Sequence, residues 1–211
     1  PSAFQPLNCP VTTSSGPGMP SPSPGSSTFD LRPDSVTSAS AVTGLPNLAH
    51  LSLTYCSITD VQPLSSMTQL TALGLSGNPI EDISPLSGLT GLNYVDLGGL
   101  GLTDLTPLAG MTELVQIQLG NNEVSDLAPL SGMTDLMYFM AYGNLISDIS
   151  VLLDLDALES ISLANNPLTT SAATSDVPAL ESAGVEVDFT YETDVLQLMG
   201  PWIADSVTVN G

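Results

Sequence analysis

Few residues in this sequence could carry out acid, base or nucleophilic chemistry. The chain of 211 residues has one histidine, His50, one arginine, Arg32, and no lysine. A serine or cysteine nucleophile needs a base held beside it, and no motif places one near His50, which the repeat described below puts on a strand surface. An HExxH helix, a phosphate-binding glycine loop with lysine and a CxxC pair are also missing from the sequence. We therefore expect a non-enzymatic protein with no cofactor.

The acidic side chains are numerous but scattered. Asp and Glu together number 22, which gives a formal net charge of -21. Nucleic acids and anionic membranes are held largely by lysine and arginine, so neither is an expected partner. No stretch of 18 or more apolar residues occurs, and no membrane insertion is expected. The charge suits a solubilising surface in high salt or outside a cell, and the start at Pro1 would suit either a mature secreted form or a trimmed chain.

A unit that recurs every 22 residues must position these side chains. Five units run from Leu48 to Ala157 without insertion, a sixth begins at Leu158, and a degenerate one covers residues 26–47. Positions 1, 4 and 6 of each unit are apolar and alternate as a short strand, while positions 11, 14, 17 and 20 fill the rest of the interior. Position 9 is asparagine in four units, where a buried amide can bond the backbone of the neighbouring coil. Cys56 and Leu100 hold that position in the other two units.

Aspartate occupies position 13 of all five regular units, and proline occupies position 16 of four of them. The aspartates are Asp60, Asp82, Asp104, Asp126 and Asp148. A carboxylate before an apolar turn with proline just inside predicts capping of a 3₁₀ turn. Calcium binding is the alternative, because stacked coils would bring these like charges about 4.8 Å apart. Since backbone capping accounts for the whole column and the EF-hand spacing is absent, we predict no metal site.

These units resemble the leucine-rich repeat family, and the form LxxLxLxxNxIxDIxPLxxL is most similar to the internalin type of bacterial surface proteins. The resemblance covers about residues 26–168. It implies an α/β solenoid, a curved stack with a parallel β-sheet on the concave face and short 3₁₀ or irregular turns on the convex face. It also implies that the concave face binds other proteins. The same repeat class occurs in intracellular regulatory subunits, so the motif identifies neither the partner nor the compartment.

The two ends of the chain depart from the repeat. Residues 1–25 are rich in proline, serine and glycine and are expected to form a tail. Such a tail becomes ordered only if its own first coil holds it, through Phe4 and Leu7, or if a neighbouring molecule does. A solenoid exposes core at its ends unless it is capped. We therefore divide the chain into the tail, a solenoid over residues 26–167 and a cap over residues 168–211.

The sequence of the C-terminal cap predicts a short helix followed by strands. Ser175 or Asp176 could cap that helix at its start and Gly184 could end it, after which alternating apolar residues predict a strand over 185–189. The last stretch carries the only tryptophan, Trp202, and a further strand-like piece. A terminal strand that stays unpaired would offer an edge for assembly.

Positions 3, 5 and 7 face the concave side, and the fifth unit is unusual there. It places Tyr138, Met140 and Tyr142 on that side, whereas the early units carry small residues. Tyrosine and methionine are favoured in the centres of interfaces, which predicts a partner-binding patch. The full patch also includes residues of the preceding units, namely Tyr94, Gln116 and Gln118. The alternative is that the patch packs against the chain's own C-terminal cap.

Two functions remain open at this point, both of them extracellular or at the cell surface. One is an adhesin-like module that grips a protein partner; the other is a structural subunit that assembles head to tail into a fibre through Phe4 and Leu7 of the tail or through the strands around Trp202. Cys56 is either a buried free thiol or bridged to Cys9, which would require an oxidising compartment. The Ser/Thr/Pro segment over residues 11–28 could carry O-glycans.

Overall fold

The 22-residue units form one parallel sheet. The computed structural model describes residues 39–42 and 47–189, and within them seven three-residue strands lie side by side in chain order. Every neighbouring pair is parallel. The strands are β1 His50–Ser52, β2 Ala72–Gly74, β3 Tyr94–Asp96, β4 Gln116–Gln118, β5 Tyr138–Met140, β6 Ser160–Ser162 and β7 Glu186–Asp188. The predicted solenoid with a parallel sheet and short turns is confirmed.

The register of the sheet repeats the period of the sequence. Leu51 pairs with Leu73, and each further step to β6 advances the chain by the same 22 residues. Between β6 and β7 the step is longer, because Ile161 pairs with Val187. A helix replaces the 3₁₀ turn in this last connection and uses more chain.

The opposite face consists of short 3₁₀ turns. They span Ala39–Val42, Gln62–Ser66, Ser84–Gly88, Thr106–Leu108, Ala128–Leu130 and Ser150–Asp154. In each regular unit the position-13 carboxylate accepts the N–H two residues on, at the start of the turn, with distances of 2.7 to 2.8 Å. The predicted capping role of the aspartate column is confirmed. The backbone bond is the main cause that lowers the pKa of Asp82 and Asp148, whereas at Asp104 a side-chain bond from Thr106 lowers the pKa more than the backbone bond does.

The interior is one continuous apolar column. Buried residues run without a break from Ala39 in the first 3₁₀ turn to Val185 before β7. Positions 4 and 17 are essentially closed to solvent, as Val95 and Leu108 illustrate at 0% exposure. In the fifth unit Phe139 and Ala141 take the places of two leucines and are equally buried, so a large and a small side chain share the available volume.

A ladder of buried asparagines links neighbouring coils. The Oδ1 of Asn122 accepts the N–H groups of Leu100 and Leu102 on the preceding coil, both at 3.0 Å. Its Nδ2 donates to the carbonyls of Leu97 and Leu119 at 2.9 and 2.8 Å. Each asparagine therefore satisfies backbone groups that turn away from the strand and have no partner in the sheet. The other rungs are Asn78, Asn144 and Asn166.

The helix that follows β6 begins earlier than the sequence suggested. A π-helical turn, Ala172–Asp176, leads directly into α1, Val177–Ser182. Asp176 has helical backbone angles and makes no capping bond, so the prediction of a cap at 175 or 176 is wrong. The hydroxyl of Thr169 instead accepts the N–H of Ala172 at 3.1 Å. Gly184, with φ of +98°, ends the helix as expected.

None of the helices in the described ranges combines the length and the apolar character that crossing a bilayer requires.

Candidate binding face

The sheet register sorts the concave side chains into rows. Position 3 aligns Tyr94, Gln116 and Tyr138 on β3, β4 and β5. Position 5 aligns Asp96, Gln118 and Met140 on the same strands. Adjacent strands lie about 4.8 Å apart, so the predicted patch spans three neighbouring coils as one surface. The sheet therefore brings the predicted patch residues on β3, β4 and β5 together.

The fifth coil carries the most open part of this patch. Tyr142 is 43% exposed, and Tyr138 and Met140 are half-buried. The hydroxyl of Tyr138 donates to Oε2 of Glu159 at 2.6 Å, a bond that fixes the ring and raises the pKa of the tyrosine. The ring of Tyr142 lies over Gly120 of the preceding coil, where any Cβ would collide with it. The ring of Tyr138 is thus held by a hydrogen bond, and the ring of Tyr142 packs on Gly120.

The C-terminal elements leave this patch open within residues 47–189. β7 pairs with β6 at the end of the sheet, one strand beyond the neighbour of β5. The packing of α1 is against the π-helical turn and β7. The described part of the cap therefore extends the stack and does not cover Tyr138, Met140 or Tyr142.

Tyr94 differs from the other members of the patch. It is only 7% exposed, so its ring contributes little open surface, in contrast to the aromatic residues of the fifth coil. Burial, together with the charge of Asp96, raises its pKa to about 12. Its contact with a partner stays a prediction.

Asp96 is a residue whose importance sequence reasoning missed. It is half-buried on β3, and its Oδ1 accepts the N–H of Gly98 at 3.1 Å. Burial raises the pKa of this carboxyl, and bonds from Gly98 and Ser76 partly oppose that shift. One feature of the sequence could have revealed it: Asp96 is the only acidic residue at positions 3, 5 and 7 of the units from Leu48 to Ala157.

Comparison with known proteins supports the repeat assignment. The family model described as Leucine Rich repeats (2 copies) matches residues 46–88. The crystal structure of an internalin, inlF, from Listeria monocytogenes is 33% identical with a TM-score of 0.64, over 77% of this chain and 48% of that one. The chain is a leucine-rich repeat protein of the internalin-like type.

Two further structures agree with this leucine-rich repeat fold. Internalin C2, inlC2, from Listeria monocytogenes is 29% identical with a TM-score of 0.62, over 71% of this chain and 74% of that one. A leucine-rich repeat protein from Leptospira interrogans has the same fold, with 22% identity and a TM-score of 0.64, over 70% of this chain and 38% of that one. The chain spans about half the length of the inlF structure. No curated protein sequence matches it.

At the first regular coil, the leucine-rich repeat backbone departs from the usual residue choice. In the six units that start at Leu48, position 8 has positive φ and is glycine or asparagine in all but the first of them, where Tyr55 has φ of +55°. Such a conformation is costly for a residue with a bulky side chain. Tyr55 is 62% exposed and its ring lies over Gly77. This second open tyrosine was also missed, although the column of glycine and asparagine marks it in the sequence.

Cys56 follows Tyr55 and takes the place of a ladder asparagine. Its sulfur is disulfide-bonded and lies 3.4 Å from the carbonyl oxygen of Thr54, and its N–H donates to Oδ1 of Asn78 at 2.9 Å. The alternative of a free thiol at Cys56 is therefore wrong. Cys9, the partner in the other alternative, lies outside the described residues, so that pairing stays a prediction. The same holds for Phe4, Leu7 and Trp202, so the assembly residues stay predictions.

Across residues 39–42 and 47–189, no three His, Cys, Asp or Glu side chains are grouped so that they could hold a metal ion. His50 lies half-buried on β1, the first strand of the described sheet. The aspartate column is engaged by backbone N–H groups. What the concave face offers is contact chemistry: aromatic rings, side-chain amides and carboxylates.

Proposed function

We propose that this leucine-rich repeat protein is a non-enzymatic, adhesin-like module that grips a protein partner with the concave side of coils three to five. The supporting observation is the open cluster of Tyr138, Met140 and Tyr142, with Gln116 and Gln118 beside it in register. Rings held by Glu159 and by the surface of Gly120 lose little freedom on binding, which favours affinity. Rigid tyrosines of this kind often dominate binding energy.

We place this function outside the cell or at its surface. Disulfides persist mainly in oxidising compartments, and Cys56 is part of a disulfide. The high negative charge and the absence of lysine suit a soluble surface exposed to salt. Nucleic acid is a poor partner for such a surface. O-glycans on the Ser/Thr/Pro segment are compatible with this location.

In the test, a displayed dodecapeptide library is screened for peptides that bind the folded chain. A double variant, Tyr138→Ala with Tyr142→Ala, should lose at least about tenfold in affinity for the selected peptides, as expected for central aromatic contacts. Leu153→Ala is the matched control, because Leu153 is 41% exposed in a 3₁₀ turn on the convex side. Equal binding by wild type and the double variant would refute the proposed face.

Methionine methyl groups provide an independent readout of the contact surface. Met140 is half-buried on the concave face, whereas Met111 and Met133 are fully buried in the core. In a methyl NMR spectrum, a selected peptide should shift the Met140 resonance and leave those of Met111 and Met133 nearly unchanged. Shifts confined to the core methionines would argue for a global change instead of a concave contact.

The fibre alternative stays a prediction, and one observation weighs against stacking through β7. Glu186 and Asp188 are exposed on this last strand of the described sheet, and charged residues on an edge strand discourage pairing with another copy. Sedimentation of the purified chain tests the alternative directly. Large concentration-dependent species that disappear on deletion of residues 1–25 would support a fibre built through the tail.

A further inference from the structure

The two most exposed tyrosines of the described residues lean toward each other along the rim of the solenoid, just after the strands. The ring of Tyr55, on the first regular coil, lies over Gly77 of the next coil, and the residue is 62% exposed. The ring of Tyr142, on the fifth coil, lies over Gly120 of the coil before it, and the residue is 43% exposed. Each ring thus packs on a glycine and keeps open surface.

The backbone between the two rings is continuous and bare. The N–H of Gly77 donates to the carbonyl of Gly98 at 2.8 Å. The N–H of Gly99 donates in turn to the carbonyl of Gly120 at 2.9 Å. Among the described residues beyond its chain neighbours, only the backbone N of Gly77 would come within 4 Å of a Cβ on Gly99, so none of their side chains covers this stretch. The two covered glycines are two coils apart, which separates the rings by about 10 Å along the stack.

This spacing matches the period of a polyproline II helix. That helix has three residues per turn and rises about 3.1 Å per residue, so side chains at i and i+3 lie on one side, about 9.3 Å apart. Proline-rich segments of the PxxP type dock on aromatic rings in this conformation. Two open rings about 10 Å apart, with no side chain on the backbone between them, therefore fit two prolines three residues apart.

The chain itself contains one such pair of prolines. Of its 17 prolines, only Pro17 and Pro20 are three residues apart. They lie in the tail of residues 1–25, which has no Asp, Glu, Lys or Arg, so the acidic solenoid does not repel it. Residues 21–38 link Pro20 to the first described residue, Ala39, and a link of that length can span about 60 Å. Three coils occupy only about 15 Å, so the pair can reach the rings.

The backbone at Tyr55 gives independent support for a contact by its ring. Its φ of +55° lies in the left-handed region, at a position where the next five units carry glycine or asparagine. Either of those residues would relieve the strain at Tyr55. Strained residues of this kind cluster at sites that hold a ligand, which favours a binding role for the ring.

We propose that the rings of Tyr55 and Tyr142, with the bare backbone at Gly99 between them, form a docking platform for Pro17 and Pro20 of the chain's own tail. The tail lies along the rim in polyproline II conformation, with one proline on each ring. Attachment to the same molecule raises the local concentration of the pair to about millimolar, which favours it over the tail of a free copy. The inference goes beyond the proposed function, because it gives Tyr142 a contact within the free chain.

Backbone amide relaxation of the free full-length chain, measured by NMR, tests this docking. Gly18 and Met19 lie between the two prolines. In wild type their order parameters should be about 0.85, as in a rigid backbone, and in Pro20→Ala they should fall below about 0.6. Pro24→Ala is the matched control, because Pro24 lies in the same segment but has no proline three residues away. It should leave both order parameters unchanged.

A change on the platform tests the same contact from the other side. Tyr55→Asn keeps a residue that suits the left-handed backbone, as asparagine does at this position in two later units. It should release Gly18 and Met19 to the same extent as Pro20→Ala. Tyr138→Ala is the control here, because Tyr138 is a concave tyrosine outside the platform, and it should leave the tail ordered.

The remaining outcomes overturn the docking or its occupant. Order parameters below about 0.6 in wild type, or values that stay high in Tyr55→Asn, would refute the platform. Equal losses in Pro20→Ala and Pro24→Ala would refute the assignment to one proline pair. Order that appears only as the protein concentration rises, together with faster sedimentation, would show that the tail comes from a second copy. Because no peptide is added, failure of the platform leaves the proposed concave function standing, and failure of the peptide test leaves the platform standing.

Discussion

The asparagine ladder allows a quantitative test at Asn122. Substitution by leucine keeps a similar shape, and Leu100 shows that the column accepts a leucine. Removal of the amide leaves the N–H groups of Leu100 and Leu102 and the carbonyl of Leu97 without this partner. The carbonyl of Leu119 keeps a second donor, Nδ2 of Asn144 at 2.9 Å. Each of these three backbone groups without a hydrogen-bond partner costs about 1 to 2 kcal/mol, so the free energy of unfolding should fall by about 3 to 6 kcal/mol.

The opposite change at Leu100 is the matched control. By the repeat, an asparagine there would accept the N–H groups of Asn78 and Ile80, as Asn122 does one coil later. Two such bonds contribute about 1 kcal/mol each, and loss of the half-buried leucine offsets about half of this gain. Leu100→Asn should therefore stabilise the chain by about 1 kcal/mol.

Urea unfolding followed by circular dichroism measures both variants. The midpoints should move in opposite directions with an unchanged slope, because the surface exposed on unfolding is the same. Repeat proteins can lose two-state behaviour, so a second probe such as near-ultraviolet circular dichroism of the tyrosines must give a coincident transition. A loss below about 1 kcal/mol for Asn122→Leu, combined with no gain for Leu100→Asn, would show that the ladder does not stabilise the stack.

Three further changes probe other parts of the molecule. If Cys56 is bridged to Cys9, the disulfide closes a loop of about 47 residues, and reduction should lower the free energy of unfolding by about 4 kcal/mol. An unfolding midpoint that does not change when dithiothreitol is added would contradict the bridge. Because the pKa of Asp96 is raised in the folded state, its charge opposes folding above that pKa. Asp96→Asn should then be more stable than wild type at pH 7, and the difference should shrink as pH falls and the wild-type carboxyl protonates; a difference independent of pH would refute this. Gly120→Ala should displace the ring of Tyr142 and weaken peptide binding, with little loss of stability because Tyr142 is exposed. Unchanged peptide binding would show that the position of the Tyr142 ring does not matter.

The periodic part of the fold was predictable because each column has one physical role. Alternation of apolar residues specified the strands, and aspartate followed by proline specified the 3₁₀ turns. The start of the last helix was not predictable in the same way. Ser175 and Asp176 have good capping side chains, but the chain becomes helical earlier and the hydroxyl of Thr169 takes that role. Local preference named two candidates, and neither of them is the residue that caps the helix in the structure.

The candidate site was predictable only where a large side chain breaks the pattern. Tyr138, Met140 and Tyr142 are conspicuous by size, so their shared surface followed from the period alone. Asp96 is a small residue whose burial and raised pKa depend on what surrounds it, which includes Ser76 of the preceding coil. In a solenoid such neighbours come from the adjacent coils, so the surroundings of a concave side chain are a property of rows across units and are invisible within any one unit. Functional positions in such a stack are best sought by reading each concave row across the coils and asking where a side chain departs from its neighbours in the row.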